Sequence, residues 1–331
     1  MSEFSPGLVT VFGGSGFVGT QVVRALTKRG WRVRVAVRRP GQAYDLKPLG
    51  DVGQIQTVRC DITREADVAE ALRGATAAVN LVGILFETPS RKFQALHVDG
   101  ARLIAEACAA AGIDRLVQVS AIGANPESNA AYARSKAEAE MAVRNVKPDA
   151  VVIRPSIVFG AGDDFLNRFA ALAQMAPALP LIGGGQTKFQ PVYVGDVAEA
   201  IARAVVRVDA AGRTFELGGP AVMTFEAVLK LILRETNRSR ALIPLPFFVA
   251  KMIGGLAQLT ALVGIAPVLT TDQVEMLKTD TVVSDDAEGL EALDIQPTGI
   301  DAIAPAYLWR YRSGGQFAEK PAAQAEVVPA Q

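Results

Sequence analysis

Tyr132 and Lys136 are the two side chains whose types and spacing suggest chemistry most directly. They lie four residues apart in the run Tyr132-Ala133-Arg134-Ser135-Lys136, and residues four apart share one face of a helix. An ammonium group beside a phenol favours the phenolate, which lets the tyrosine exchange a proton with a bound oxygen near neutral pH. The spacing alone arises often by chance, so its meaning depends on the elements around it.

A glycine-spaced turn near the N-terminus predicts a phosphate-binding loop. Residues 8–30 read as a buried strand, a turn and a helix. Gly13 permits the sharp exit from the strand, Gly16 leaves room for a pyrophosphate, and Gly19 lets the helix pack on the sheet. The N–H groups that open the helix attract an anion. Glycine spacing alone is weak evidence for nucleotide binding, but its position between a buried strand and a helix strengthens that evidence. The alternative is a tight turn that binds nothing. The predicted cradle is Gly13, Gly14, Ser15, Gly16, Phe17, Val18 and Gly19.

The residues after the second strand, 31–37, indicate which dinucleotide fits. An acidic side chain there would accept a hydrogen bond from the 2'-hydroxyl of NAD, whereas this chain has Arg38 and Arg39, followed by Pro40-Gly41. Arginine pairs with a 2'-phosphate. We therefore predict NADPH or NADP as the cofactor. The alternatives are two solvated arginines at a loop tip, and NAD.

Strands and helices alternate through the first half of the chain. This pattern predicts an α/β protein with a Rossmann-like doubly wound parallel sheet, whose further strands are expected at 54–60, 77–82, 115–120 and 150–154. Binding loops gather beyond the C-terminal ends of such strands. Asp61 either bonds the adenine amino group or caps the next helix. The other cofactor-binding positions predicted are Ile62, Leu81, Val82, Gly83, Pro155, Tyr132 and Lys136, whose ammonium can bond the nicotinamide ribose.

Length and composition limit the remaining possibilities. The 331 residues, half of them hydrophobic, suffice for a Rossmann domain over 1–155 and a smaller C-terminal α/β domain over 156–313, with a disordered tail over 314–331. Equal counts of 34 basic and 34 acidic residues argue against a nucleic-acid partner. Cys60 and Cys108 lack metal-ligand spacing, so buried thiols and no metal are expected. No signal peptide precedes the first strand, which predicts a cytoplasmic location.

Five segments carry a family resemblance that covers residues 8 to about 310. They are Val117–Ala124, Tyr132–Glu140, Ile153–Gly160, Phe165–Phe169 and Gly184–Ala198. With them the chain resembles the extended short-chain dehydrogenase/reductase family, and more narrowly the atypical branch that contains the NADPH-binding accessory subunit of respiratory complex I. The resemblance implies a tightly held NADPH, complex I subunits near the membrane junction as partners, and no established turnover. It also implies a peripheral position on the cytoplasmic face of the inner membrane.

One departure from the family bears on catalysis. Active members carry a serine or threonine hydroxyl a couple of residues beyond the position of Ser120, where this chain has Ala121-Ile122-Gly123. Loss of that donor removes stabilisation of a developing alkoxide, on the order of a few kcal/mol. The Tyr–Lys pair then mainly holds the ribose, unless Ser120 or Ser128 substitutes. The sole histidine, His97, has no second metal ligand nearby and is expected to be packed or exposed rather than catalytic.

An apolar segment lies in the C-terminal half. Residues 243–271 contain one formal charge, Lys251, and roughly 20 apolar residues can span a bilayer. The glycine pair Gly254-Gly255, the lysine and the marginal length argue against a span. A buried helix of the small domain is one alternative for 246–266, and an exposed face that docks on a partner or the membrane interface is the other.

Three functions follow from these observations. The first is an NADP(H)-binding, non-catalytic accessory subunit of complex I, and the 121–123 loop and the apolar segment favour it. The second is an active NADP-dependent short-chain reductase or nucleotide-sugar epimerase/dehydratase. The third is a redox-sensing regulatory NADP-binding protein, for which the sequence offers only the fold.

Overall fold

The structure is a computed structural model that describes residues 6–258, 260 and 269–317. The chain divides into two compact units. The first contains the chain up to Pro155 together with Gly195–Glu216 and Asp286–Ile295, and the second contains Ser156–Val194, Leu217–Asp285 and the chain from Gln296. The sequence predicts a single boundary after residue 155, whereas two later segments return to the first unit. The first of these returns supplies a strand at the edge of the main sheet.

The secondary structure follows the predicted alternation. The strands are β1 (Leu8–Phe12), β2 (Arg32–Val37), β3 (Ile55–Arg59), β4 (Ala77–Asn80), β5 (Arg115–Val119), β6 (Val151–Pro155), β7 (Val158–Phe159), β8 (Ala178–Ile182), β9 (Lys188–Phe189), β10 (Val192–Tyr193), β11 (Thr214–Leu217), β12 (Met223–Thr224) and β13 (Ala241–Leu245). The longer helices are α1 (Phe17–Lys28), α2 (Glu65–Leu72), α3 (Gly100–Ala110), α4 (Ala131–Val146), α5 (Phe165–Met175), α6 (Val194–Val206), α7 (Phe225–Glu235) and α8 (Phe247–Ala257). Shorter helices span Thr271–Met276, Ile300–Ile303 and Pro305–Leu308.

The first unit is built on a seven-stranded sheet in the order β3-β2-β1-β4-β5-β6-β11. The five neighbouring pairs from β3 to β6 are parallel. Val9, Val11 and Phe12 of β1 are fully buried, because helices cover both faces of such a sheet. The predicted Rossmann-like fold is therefore confirmed. The strand order reverses between β1 and β4, and the C-terminal ends of strands at such a point form the ligand crevice.

The second unit has its own core, lined by a cluster of aromatic rings. The rings of Phe165, Phe169, Phe189 and Phe225 pack edge to face or tilted, with centroids 5.3–6.3 Å apart. The same unit contains three two-stranded ladders, β7–β10, β9–β12 and β8–β13. Buried Asp163 fixes the start of α5 by accepting hydrogen bonds from the N–H groups of its first turn and from the Tyr307 hydroxyl, at 2.7 Å.

Helix α8 presents much of its apolar surface to solvent. Phe248 is 69% exposed, Met252 68% and Leu256 71%, whereas Ala250 and Gly254 are buried. A Cβ on Gly254 would lie 2.9 Å from the carbonyl carbon of Thr270, so this glycine allows close packing against the next segment. Of the two helical placements predicted for 246–266, the structure shows the exposed face over 247–257. Residues 259 and 261–266 lie outside the described residues.

Two further sequence predictions concern membrane spanning and the tail. None of the helices in residues 6–258 and 269–317 has the length and apolar character that crossing a membrane would demand. Residues 314–317, the start of the predicted disordered tail, form a turn that includes a short 3-10 helix at Gly315–Phe317. The remainder of the tail, 318–331, lies outside the described residues.

Candidate functional site

The glycine turn after β1 has the geometry of a phosphate cradle. Gly13 adopts a φ of +78°, a left-handed conformation that only glycine reaches at low cost. Its N–H donates to the Ala36 carbonyl at 3.2 Å, and Gly16 N–H donates back to the Gly13 carbonyl at 3.1 Å. A Cβ on Gly19 would collide with the Gly13 carbonyl oxygen and lie 2.7 Å from backbone atoms of Gly14. The predicted roles of Gly13 and Gly19 therefore have a direct steric basis.

The first backbone N–H groups of α1 have no carbonyl acceptor within their own turn. Thr20 is the first residue whose N–H finds the carbonyl four residues earlier, that of Gly16 at 2.9 Å. Gly16 occupies the N-cap and has no side chain to accept a bond, and no acidic residue lies in the first turn. The N–H groups of Phe17, Val18 and Gly19 thus open the helix next to the exposed Ser15 and Gly16, an arrangement that suits an external anion.

The loop after β4 lies against this cradle. A Cβ on Gly13 would sit 3.3 Å from the Leu81 carbonyl carbon and from Val82 Cγ2. Buried Asn80 holds the loop, because its Nδ2 donates to Gln118 Oε1 at 2.8 Å while its Oδ1 accepts from Val82 N–H at 3.1 Å. The predicted positions Leu81 and Val82 are therefore brought next to the glycine turn.

Tyr132 and Lys136 share one face of α4, as predicted. Lys136 Nζ lies 5.8 Å from the centre of the Tyr132 ring and donates to the Val119 carbonyl at 3.3 Å. Burial lowers the pKa of Lys136 to about 8, against the opposing effect of the Glu140 carboxylate. A Cβ on Gly83 would meet Lys136 Nζ at 3.4 Å, so the β4 loop, the cradle and the Tyr–Lys face form one site.

His97 belongs to this site, which sequence reasoning did not foresee. The residue is buried in a π-helical segment, Gln94–Asp99, just before α3, and its ring packs edge-on against Tyr132 with centroids 5.7 Å apart. Burial, with a smaller effect of Lys136, lowers the pKa of His97 to about 3. With its pKa lowered in this way, the imidazole is neutral at physiological pH.

The hydrogen bonds of His97 fix its tautomer. Nε2 accepts from Ile84 N–H at 2.9 Å, so Nδ1 carries the hydrogen and donates to Ser135 Oγ at 2.8 Å. Ser135 Oγ donates in turn to the Tyr132 carbonyl at 2.8 Å. His97 therefore ties the β4 loop to the helix that carries Tyr132. The only sequence signal was a lone histidine in an apolar stretch.

The loop after β5 lacks the expected hydroxyl but contains a buried serine. Ile122 is buried, and its N–H donates to the Pro155 carbonyl at 3.0 Å. Ser128 Oγ accepts from Ala130 N–H at 3.1 Å just before α4, so it is occupied in local structure. Ser120 Oγ is buried and finds no partner among the residues described. Of the two serines considered as substitutes, Ser120 alone has an uncommitted hydroxyl.

Arg38 and Arg39 follow β2 directly and are exposed, which is compatible both with a 2'-phosphate partner and with two solvated side chains. Asp61 accepts hydrogen bonds from the N–H and hydroxyl of Thr63, at 3.1 and 2.8 Å, which together with nearby Arg64 and Arg38 lower its pKa despite burial. This carboxylate caps a turn before α2. Ile62 is buried, and a Cβ on Gly100 would collide with its Cδ1. Its side chain therefore packs against the start of α3.

Arg154 forms a buried ion-pair network behind the site. Its Nε and Nη2 donate to the two oxygens of Glu140 at 2.9 and 2.7 Å, and its Nη1 donates to Glu216 at 3.3 Å. These bonds raise the pKa of Arg154. Glu140 lies one turn beyond Lys136 on α4, so the network fixes the carboxylate that helps to keep that lysine charged. All three residues lie in the first unit.

These features together fit a dinucleotide. The cradle has open space at Gly16, uncommitted N–H groups opening α1, two arginines beyond β2 and an orphaned hydroxyl at Ser120. A nicotinamide dinucleotide, when bound, would supply hydride chemistry beside the Tyr–Lys face. The cradle residues would hold its diphosphate, and Tyr132 and Lys136 would orient the adjoining ribose and hold a proton at the phenol oxygen.

The fold and this site are those of an α/β protein of the nicotinamide-dinucleotide-binding type. The chain belongs to the NAD dependent epimerase/dehydratase family, which matches residues 9–218.

Comparison with individual proteins shows more specific similarities than the family match. The chain is 37% identical over 316 residues to the mitochondrial NADH dehydrogenase (ubiquinone) 1 alpha subcomplex subunit 9 of Rattus norvegicus, covering 94% of this chain and 82% of that protein. It is 32% identical over 198 residues to ceramide reductase of Caulobacter vibrioides, covering 60% of this chain and 61% of that protein. The crystal structure of NADPH-dependent quinone oxidoreductase QOR2 from Escherichia coli, complexed with NADPH, has a TM-score of 0.70 at 19% identity, with coverage of 91% and 99%; this likeness concerns the fold alone. The match to the rat protein confirms the resemblance found in the sequence.

Proposed function

We propose that this protein holds NADP(H) as a fixed component and serves as an accessory subunit of the respiratory NADH:ubiquinone oxidoreductase, complex I. The observation that carries the proposal is the match to the rat NADH dehydrogenase subunit, which extends over nearly the whole chain. The site is consistent with this role, because the cradle is complete while positions 121–123 provide no hydroxyl to polarise a substrate carbonyl.

Helix α8 supports a docking role in the same complex. Phe248, Met252 and Leu256 expose more than two thirds of their surface, and Lys251 is exposed among them, with its ammonium 3.7 Å from Glu275. An apolar face of this kind indicates a partner surface or a membrane interface. We place this face towards the subunits at the membrane junction, with the protein on the cytoplasmic side of the inner membrane.

The experiment is native mass spectrometry of complex I purified from the membrane fraction of the source cell. The expected result is a complex that contains this chain with one bound NADPH or NADP. A Met252→Glu variant should be lost from the complex. Met175→Glu should assemble normally, since Met175 is also exposed, at 80%, but belongs to a different element, the last turn of α5. A complex I preparation that lacks the chain would contradict the proposal.

A second function is favoured by one observation, the uncommitted hydroxyl of Ser120. If this hydroxyl bonds a substrate oxygen, the protein is a working NADP-dependent reductase, and the similarity to a ceramide reductase directs attention to apolar carbonyl substrates. Oxidation of NADPH with a long-chain aliphatic ketone should then be abolished by Tyr132→Phe. The structural role predicts no such oxidation in the wild-type protein, so the two functions give opposite results.

A further inference from the structure

The turn beyond the β4 loop carries two buried polar atoms that have no partner. Thr88 and Arg91 face each other across a tight hairpin, in which Thr88 N–H donates to the Arg91 carbonyl at 2.9 Å and Arg91 N–H donates to the Thr88 carbonyl at 3.2 Å. Thr88 Oγ1 and Arg91 Nε are both buried, and neither finds a hydrogen-bond partner within the described chain. Buried polar groups are almost always satisfied, so the hairpin points to an acceptor that the polypeptide does not supply.

Arg91 stands near another cation rather than a carboxylate. Burial and the positive charge of Arg38 both lower the pKa of Arg91, and no acidic side chain among the described residues raises it. Arg38 also acts on Asp61, whose pKa it helps to lower. Asp61 already accepts both hydrogen bonds of Thr63.

We propose that Arg91 and Thr88 complete, with Arg38, a pocket for a phosphomonoester, the 2'-phosphate of the bound dinucleotide. This inference rests on the nucleotide binding proposed above and adds its specificity determinant. Arg38 follows β2, where the adenosine ribose of a dinucleotide lies, and the β4 loop that leads to the hairpin contacts the cradle. A phosphomonoester offers up to two negative charges and three acceptor oxygens to two guanidinium groups and a hydroxyl. A 2'-hydroxyl offers neither the charge nor that number of acceptors.

The test compares adenosine 2',5'-bisphosphate with adenosine 5'-monophosphate in calorimetric titrations of the full chain. Arg91→Gln should weaken binding of the bisphosphate at least tenfold, about 1.4 kcal/mol, and change binding of the monophosphate by less than twofold. Thr88→Val should act in the same direction with a smaller effect. Lys92→Gln is the matched control, because Lys92 is the exposed neighbour of Arg91 and pairs with Glu87; this variant should leave the ratio of the two affinities within twofold of wild type.

The outcomes separate this inference from the proposed function. Equal weakening of both ligands by Arg91→Gln would assign Arg91 to holding the loop and overturn the proposal, as would no change in either. Arg91→Lys keeps the charge and removes Nε, so it serves as a second variant if Arg91→Gln fails to fold. It should still lower the ratio of bisphosphate affinity to monophosphate affinity. Wild-type protein that binds NADH and NADPH equally would overturn the phosphate pocket while nucleotide binding stands. Wild-type protein that binds neither would overturn the nucleotide-holding role itself.

Discussion

Gly16 is the cradle position at which binding can be separated from folding. Its φ of −78° and ψ of 178° are extended values that any residue adopts, and a Cβ there would contact only the Gly13 carbonyl oxygen, at an ordinary 3.5 Å. In Gly16→Ala, the poorer N-cap residue and the reduced entropy of the unfolded chain have opposite effects of about 0.5–1 kcal/mol each. We therefore expect the free energy of unfolding without ligand to change by less than about 1 kcal/mol.

The effect of Gly16→Ala on binding should be much larger. The added methyl occupies the space through which a diphosphate reaches the N–H groups of Phe17 and Val18. A hydrogen bond to a charged group contributes about 1.5–3 kcal/mol, so losing one or two of them costs about 3 kcal/mol. That loss corresponds to a weakening of roughly a hundredfold.

The assay pairs calorimetric titration with NADPH and denaturant unfolding of the same samples. Gly299→Ala is the matched control, because Gly299 is also an N-cap glycine with extended angles, and its Cβ would meet only Pro220 Cγ, at 3.8 Å. This control should bind NADPH as wild type does. NADPH affinity of Gly16→Ala within twofold of wild type, with the fold intact, would refute the assignment of the diphosphate to the helix start.

Three further predictions concern stability. Arg154→Met removes the guanidinium that bonds two buried carboxylates and should lower the free energy of unfolding by about 3 kcal/mol in a denaturant titration. Arg102→Met breaks only an exposed pair with Glu106 and should lower it by less than about 1 kcal/mol; equal losses would contradict the network. The pKa of His97 is about 3 in the folded state, below its usual value of 6.5, so the unfolded chain binds more protons between those two pH values. The free energy of unfolding of the wild type should therefore fall by about 1.4 kcal/mol per pH unit as the pH drops below 6.5. His97→Gln should lack this contribution to the pH dependence, and parallel pH curves for the two proteins would count against the prediction. Ser120→Ala removes an unsatisfied buried hydroxyl and should raise the free energy of unfolding of the ligand-free protein by about 1 kcal/mol. The same variant should reduce the thermal shift that NADPH causes. A less stable ligand-free variant would show that Ser120 Oγ is satisfied in the wild type.

The parts of the fold that depend on local signals were predictable. The apolar run of β1 and the glycines that follow it impose their conformation through steric limits within a dozen residues, so the strand, the turn and the helix lie where the sequence predicts them. The Tyr132 and Lys136 face follows from helical periodicity alone. Predicted strand ends differ from the observed ones by at most two residues, and the largest difference is at β4, which the apolar Leu81 and Val82 follow.

Features that depend on distant parts of the chain were not predictable. β11 pairs with β6, although some sixty residues, which include part of the second unit and α6, separate the two strands. The four residues of β11 do not indicate which strand it pairs with. His97 has its role only because the π-helical segment turns its ring towards Ser135. The charge of Arg38 acts on Arg91, and no local pattern relates two residues so far apart in the sequence.

The late return of β11 to the main sheet affects how this protein can be dissected. A fragment that ends at Pro155 keeps every strand from β1 to β6 but leaves the outer edge of β6 uncovered, with its backbone groups available to another molecule's strand. Such a fragment should self-associate on expression, even though it contains the whole glycine turn and both Tyr132 and Lys136. The nucleotide site can therefore be studied in isolation only if Gly195–Glu216 is supplied as well, either by fusion or as a separate peptide that restores the edge.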